Sequence, residues 1–449
     1  VLALLSLVLA VGCGSPRPRN VLLIVIDTLR WDHLGAYGYE RDTSPAIDAL
    51  AARGVRFERA YATAPWTMPS MASMITGLYP SGHGVKSVMS ETSPSLHTLA
   101  EILRERGYQT AAVVSNRLIA SPLESGFAQG YDIYQAGEAR GHDHVSTRGV
   151  TDQAIRILER FAEGGQRFLL FVNYFDPHFN YRHHREIGFA PPRVGRLDGR
   201  QDIGELREMP DDLSDEELRF LRDLYDEEIR LTDAGIARLL ARLEELGLAE
   251  QTLVVLTADH GEEFKERGWL GHTRSLYEEL MRVPLVIRTP GLWGTPRVVE
   301  TPVSLVSLTP TVLDLLGIGI EGFDFQGPSL APSVLGRRGT EPGALITEVD
   351  YVLPGDPRSK KRAFKKAIID GRFKLIRDDE SQRIELYDLE ADPAERTNLA
   401  EERPELRERL LRELEVRLEQ AARGGVTAPE RQLEEQEIEA LRELGYVDP

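Results

Sequence analysis

Residues 21–26 read VLLIVI and run directly into Asp27-Thr28-Leu29-Arg30. An unbroken apolar, largely β-branched run of this length predicts a strand covered on both faces, as in the interior of a parallel sheet. The same texture returns at Thr110–Val114, Phe168–Val172, Leu253–Leu256 and Pro284–Ile287. Helical patterns lie between these runs. Leu96, Leu99, Ile102 and Leu103 share one face before Gly107, Thr151–Phe161 fits a helix, and residues 215–246 form a long amphipathic stretch stopped by Gly247. Strand alternating with helix predicts an α/β fold on a doubly wound, mostly parallel sheet.

Polar residues cluster where those strands end. Asp27 follows the first run, Asn116 the second, Asp176 and His178 the third, and Asp259 and His260 the fourth. Open parallel sheets bind ligands outside the carboxyl ends of their strands. One strand-end aspartate commonly caps the next helix; several together are different, because crowded carboxylates repel unless a cation neutralises them. Aspartate combined with histidine points to a divalent metal, Zn or Mn ahead of Ca or Mg.

A second element reads Ala64-Pro-Trp-Thr-Met-Pro-Ser-Met-Ala-Ser-Met-Ile-Thr-Gly77. Thr67 falls at a helix start, Pro69 suits the first turn and Gly77 the stop. Taken alone, Thr67 reads as a plain N-cap. Beside a divalent cation its hydroxyl would be activated, and the free N–H groups of the helix start would hold an oxyanion.

Together these elements resemble the sulfatase branch of the alkaline phosphatase superfamily. Asn20–Arg30 with Gly35-Ala-Tyr-Gly38 looks like that family's opening strand and metal-binding turn, and Ala64–Gly77 with Tyr79-Pro80 and His83-Gly84 looks like its nucleophile helix. Leu253–Gly261 resembles its second metal pair. Gly271-His272, Tyr277-Glu278-Glu279 and Arg282-Val-Pro-Leu285 resemble the segment after it. Gly371–Ile376 and Glu385–Pro393 resemble its C-terminal subdomain. The likeness runs from Asn20 to about Leu399.

The resemblance implies a metal-dependent hydrolase of sulfuric or phosphoric esters acting on an anionic ester. It implies metal ligation by Asp27, Thr67, Asp259 and His260. Thr67, His178 and His272 would be the catalytic groups, with Asn116 and His83 on the substrate. By likeness to the superfamily's two-zinc phosphodiesterases, Asp176, His178 and His272 would form a second metal set. His33, His183 and His184 are weaker candidates, the last two in the basic loop Tyr181–Arg185. Sulfatases carry Cys or Ser in a C/S-x-P-x-R motif that becomes formylglycine; here Thr67 and Met71 stand at the Cys/Ser and Arg places. Threonine cannot become formylglycine, so none is expected and phosphodiesters are the favoured esters. The family's paired Asp is here Asp27-Thr28, and its Lys-Trp-His stretch is replaced by Ser115-Asn116-Arg117. The alternatives are a phosphoethanolamine- or phosphoglycerol-type head-group transferase and a non-catalytic binding module on the same fold.

The rest of the chain sets the context. Its 449 residues suit a large core with an appendage. A net charge of -18 argues against nucleic acid as a partner. The lone cysteine, Cys13, follows the apolar run VLALLSLVLAV and Gly12. This resembles a bacterial lipoprotein signal, implying lipid on Cys13, a membrane anchor and a periplasmic or cell-surface address. The expected organisation is a leader and linker over 1–19, a catalytic domain over 20–340, a C-terminal subdomain over 341–423 with antiparallel strands and a helix from Pro404 to about Ala422, and an acidic tail over 424–449. Residues 179–210 read as a long loop, and Asp370-Gly371 as a hairpin turn.

Overall fold

The computed structural model describes residues 17–449 except 121–124, 142–143, 209–211, 292–295, 340–341, 352–361, 433–434, 436–437, 439–440, 442–445 and 447–449. The expected leader and Cys13, and the boundary drawn at 340, lie outside the described residues. Among the described residues no helix is long and apolar enough to cross a membrane.

In chain order the strands are β1 (Asn20–Ile26), β2 (Val55–Tyr61), β3 (Gln109–Val113), β4 (Ile133–Gln135), β5 (Phe168–Tyr174), β6 (Thr252–Ala258), β7 (Glu263–Phe264), β8 (Leu270–Gly271), β9 (Arg282–Arg288), β10 (Arg297–Val299) and β11 (Val303–Ser304). The main sheet has the order β10-β2-β9-β6-β1-β5-β3-β4, with β11 beside β2. Strands β6, β1, β5, β3 and β4 are parallel neighbours. β9 runs antiparallel to both β6 and β2, so the sheet is mixed but mostly parallel. Every residue of β1, β5 and β6 is buried, which is why these strands read as continuous apolar runs. β2, VRFERAY, sits toward the edge and keeps charged residues on its half-buried positions; that mixture hid it from a search for apolar runs.

Helices pack on the sheet. The helix Asp215–Glu245 opens with a capping box, Ser214 and Glu217 each bonding the other's backbone N–H, and lies against the helix Thr147–Gly164. Residues 203–208, inside the stretch expected to be loop, form a short helix.

The second, smaller sheet is an antiparallel meander of β12 (Leu345–Tyr351), β13 (Ala363–Asp370), β14 (Phe373–Asp378) and β15 (Ile384–Asp388). Asp370 pairs with Phe373, so the turn residues are Gly371 and Arg372, one place later than expected; Gly371 takes the positive φ of 61°. The helix Pro404–Ala422 covers this sheet through Leu410 and Leu414 against Ile368, Leu375 and Leu386.

A buried ionic cluster ties the small sheet to the main body. Lys374 on β14 is fully buried, its Nζ 3.1 Å from Glu278 Oε1 and 3.0 Å from Glu395 Oε1. Glu278 opens the short helix that leads into β9, and its backbone N–H donates to Glu395 Oε2 at 2.7 Å. Removing one member of such a cluster strands the others in a dry interior. Lys374→Ala should therefore cost about 3 to 5 kcal/mol, read as a lower urea midpoint. Replacing Lys374, Glu278 and Glu395 together by Met, Gln and Gln should cost much less.

Candidate metal-dependent active site

The strands β6, β1, β5 and β3 are consecutive in the sheet, so the residues just past them share one edge. Asp27, Asp259 and His260 meet there, fully buried, with one ligand-type atom from each lying within 4.8 Å of the others. Their remaining atoms are held by the surrounding chain. Asn116 Nδ2 donates to Asp27 Oδ2 at 2.5 Å. The backbone N–H groups of Thr28 and His260 donate to Asp259 Oδ1 at 3.3 and 3.0 Å. His260 Nδ1 donates to the Gly261 carbonyl at 2.9 Å, which leaves Nε2 as the lone-pair nitrogen.

Three buried atoms then face one another with no hydrogen-bond partner: Asp27 Oδ1, Asp259 Oδ2 and His260 Nε2. His260 Nε2 is 3.8 Å from the first and 3.5 Å from the second. Burial, and then the neighbouring Asp259, push the Asp27 carboxyl well above the usual range; burial also raises Asp259. Ligands ~2.1 Å from a tetrahedral ion stand ~3.4 Å apart, so this set of orphaned donors fits one divalent cation.

Thr67 is the first residue of the helix Thr67–Thr76, and the N-cap is Trp66, which makes no side-chain cap bond. The hydroxyl is thus not a plain cap. It accepts from Asn116 Nδ2 at 3.2 Å, so a single amide joins the Asp27 carboxylate to Thr67. Asn116 is held by β5, where Asn173 Oδ1 accepts from its backbone N–H at 3.1 Å. Ser70 Oγ, one turn into the helix, donates to the Asp259 carbonyl at 2.6 Å and fixes the helix start to the end of β6. Met71 is buried in the core and brings no charge to the site.

Two further imidazoles adjoin the cluster. His272 lies with its ring centre 4.6 Å from that of His260 and 4.9 Å from that of His178. His272 Nδ1 is 2.9 Å from Glu262 Oε1, and its Nε2 is 3.0 Å from the Tyr446 hydroxyl. His178 Nδ1 donates to the Phe179 carbonyl at 2.7 Å. Thr28 and Thr273, next to Asp27 and His272, have φ of 52° and 87°. β-branched residues rarely adopt this region, and such strain gathers at functional sites. Gly261 is needed for a different reason: a Cβ there would lie 2.0 Å from the Glu279 carbonyl oxygen.

Several expected residues have other work. Asp176 accepts from Ser146 N and Oγ at 2.7 Å and from Thr147 N at 2.6 Å, so both its oxygens cap the helix Thr147–Gly164. The second metal set of Asp176, His178 and His272 is therefore not assembled; His178 and His272 meet without Asp176. His83 is not placed to bind substrate: its Nε2 pairs with Ser73 Oγ at 2.9 Å and its Nδ1 accepts from Val85 N–H at 3.0 Å. Burial lowers its pKa to about 3, so it is a neutral brace beneath the helix Thr67–Thr76. His33, His183 and His184 pair with Asp226, Glu227 and Glu228 on the helix Asp215–Glu245. Glu262, Asn173 and Tyr446 were not expected. Glu262 had one faint signal, its place two residues after His260; Tyr446 had none, lying far along the chain from every motif.

The family model Sulfatase matches residues 19–318, and the model N-sulphoglucosamine sulphohydrolase, C-terminal, matches residues 265–423. The choline-sulfatase of Rhizobium meliloti is 29% identical over 86% of this chain and 83% of its own length. The N-acetylglucosamine-6-O-sulfatase of Bacteroides thetaiotaomicron is 26% identical, with 89% and 86% covered. Among solved structures, the phosphonate monoester hydrolase of Agrobacterium radiobacter superposes with a TM-score of 0.72 at 25% identity, covering 90% of this chain and 96% of that one.

The donor set makes a direct prediction. Asp259→Ala should leave the protein folded by circular dichroism but lose its metal by elemental analysis, with activity falling alongside. Full metal content in that variant would break the ligand assignment.

Proposed function

Because the chain belongs to the sulfatase family and is a sulfatase-like ester hydrolase, we propose that Thr67 is its nucleophile and phosphodiesters its preferred esters. The observation carrying this reading is the shared amide of Asn116, which joins the Thr67 hydroxyl to a carboxylate of the metal-type cluster. Asp27, Asp259 and His260 would hold a divalent cation, Zn or Mn ahead of Ca or Mg, with Thr67 beside it. Bound there, the cation neutralises the two carboxylates and makes a neighbouring hydroxyl easier to deprotonate.

The chain's own residues would do the rest. Asn116 positions the Thr67 oxygen for attack on phosphorus. Thr67 gives its proton up to solvent as its Oγ bonds to phosphorus and the bond to the alcohol oxygen breaks. That oxygen takes a proton from an imidazole; His272 is placed for this, with Glu262 fixing its ring. Water then attacks phosphorus and the Thr67–phosphorus bond breaks; of the water's two protons, one returns to Thr67 and the other to His272. A threonine sulfate ester lacks a comparably easy exit, whereas formylglycine, an aldehyde when dehydrated, can eliminate sulfate. Thr67 in the nucleophile place therefore favours phosphorus over sulfur. The relatives named are hydrolases by name, which leaves head-group transfer and mere binding without a supporting observation.

We also propose that the mature protein is exported and held at a membrane by lipid on Cys13, in the periplasm or at the cell surface. The support is the apolar run before Cys13. Cys13→Ser should move the protein from the detergent-soluble membrane fraction to the soluble one; native protein already soluble without detergent would end this reading.

The test of the chemistry is a rate comparison between matched aryl sulfate and aryl phosphodiester substrates. The diester should be hydrolysed faster. Thr67→Ala should lose about 1,000-fold or more in rate, since the nucleophile is gone. Thr67→Ser should keep part of the activity. A clear preference for the sulfate would overturn the role given to Thr67.

A further inference from the structure

The ester site is closed in this structure. Thr67, Asp27, Asp259 and His260 are 0% exposed and His272 is 1% exposed, so an ester cannot touch Thr67 Oγ until something moves. Tyr446 is what stands there. Tyr446, itself 1% exposed, sets its hydroxyl 3.0 Å from His272 Nε2 and beside the Thr67 side chain. Those two groups are the ones assigned above to the departing oxygen and to the attack. The Tyr446 ring packs among Trp66, His272 and Tyr351, with ring centres 6.1, 5.6 and 6.5 Å away.

The C-terminal segment is seated by a short series of contacts. Val426 N–H donates to the Gly82 carbonyl, Glu91 N–H to that of Pro429, and Arg431 N–H to that of Met89, at 2.8 to 2.9 Å. A Cβ on Gly84 would come within 2.3 Å of the Val426 carbonyl oxygen, so the two backbones pass too closely for any larger residue. At the far end, the Tyr351 hydroxyl donates to the Tyr446 carbonyl at 2.7 Å. These bonds lie on one run of chain outside both sheets, with Ala428, Leu441 and Tyr446 packed into the core beside them, so unseating the segment breaks no strand pairing.

We propose that Tyr446 is an intramolecular occupant of the ester site, its phenol taking the place of the substrate's alcohol portion. The ring marks a subsite for an aromatic alcohol, and the phenolic oxygen marks where an oxygen of the ester group lies. Substrate and Tyr446 then compete for one space. Apparent affinity is lowered by the fraction of molecules in which the segment is seated. A phenol that served instead as a permanent member of the catalytic machinery would leave the ester no path to Thr67. The subsite assignment rests on the hydrolase reading above; the occupancy does not.

The experiment uses the full-length, metal-loaded protein and its Tyr446→Ala and Tyr446→Phe variants. Steady-state kinetics are measured with a 4-nitrophenyl phosphodiester, and phenol binding by calorimetry, at equal metal content. Tyr446→Ala should lower KM several-fold with kcat within about twofold of native, and should bind phenol where native protein does not. Tyr446→Phe, which keeps the ring but loses both hydroxyl contacts, should fall between. A tenfold or greater loss of kcat in both variants at unchanged KM would make the phenol a working group and overturn the proposal. Phenol binding no better in Tyr446→Ala than in native protein would also overturn it. If no variant hydrolyses any ester while Tyr446→Ala alone binds phenol, the occupancy stands and the hydrolase reading fails.

Discussion

The structure depends on one unfavourable arrangement: two buried carboxylates, Asp27 and Asp259, turned toward each other across adjacent strand ends, with only His260 between them. Nothing in a folded chain gains from this by itself. Each carboxylate has one oxygen tied to a donor and one left bare, and the bare oxygens face inward. A divalent cation turns the repulsion into attraction and satisfies all three orphaned atoms at once. The sheet supplies the rigid spacing for this. β6 and β1 are parallel and in register from Asn20↔Thr252 to Ile26↔Ala258, so Asp27 and Asp259 leave the sheet side by side.

Much of this was legible in the sequence because burial on both faces forces a continuous apolar run, and a polar residue that stops such a run is conspicuous. β1, β3, β5, β6 and β9 were found that way, and with them Asp27, Asn116, Asp259 and His260. What escaped was whatever depends on register or on distant chain. β2 was lost because three of its seven residues are charged and only partly buried. The antiparallel direction of β9 has no local signature. Asp176 looked the same as Asp27 from the sequence, a strand-end aspartate; the difference is that a helix starts at Thr147, close enough to use both its oxygens. His83 was misread for the converse reason. Histidine suits a site, but this one spends both ring nitrogens within the helix Thr67–Thr76 and its exit turn.

The supports around the cluster share a logic. Asn173 holds Asn116, Ser70 holds Asp259, Gly261 accepts from His260 and Glu262 holds His272. Each group that would touch metal or ester is oriented by a buried hydrogen-bond partner, so its position is set before any ligand arrives. The cost shows in the backbone, where Thr28 and Thr273 hold left-handed conformations at about 1 to 3 kcal/mol each. Strain at these two places fits a site whose geometry is imposed by the sheet and by the helix Thr67–Thr76 rather than by local preference.

Charge balance then narrows the ester that suits this site. Two ionised carboxylates and one divalent cation sum to zero. Met71 adds no charge where a sulfatase would carry arginine. His260 presents a lone pair and is neutral in that role. Arg30, whose guanidinium donates to the Glu262 carbonyl, is already paired with Asp32 and Glu266. The donors around Thr67 are therefore mostly neutral: the Asn116 amide and the N–H groups of a helix start. A singly charged ester can be held by such donors next to a cation whose charge is largely spent on its ligands. A doubly charged phosphate monoester would leave two negative charges to those neutral donors where a diester leaves one, and each further unmatched charge buried is costly. On the proposed reading of Thr67, the same balance that makes Asp27 and Asp259 need a metal would favour, among anionic esters, those with a single negative charge.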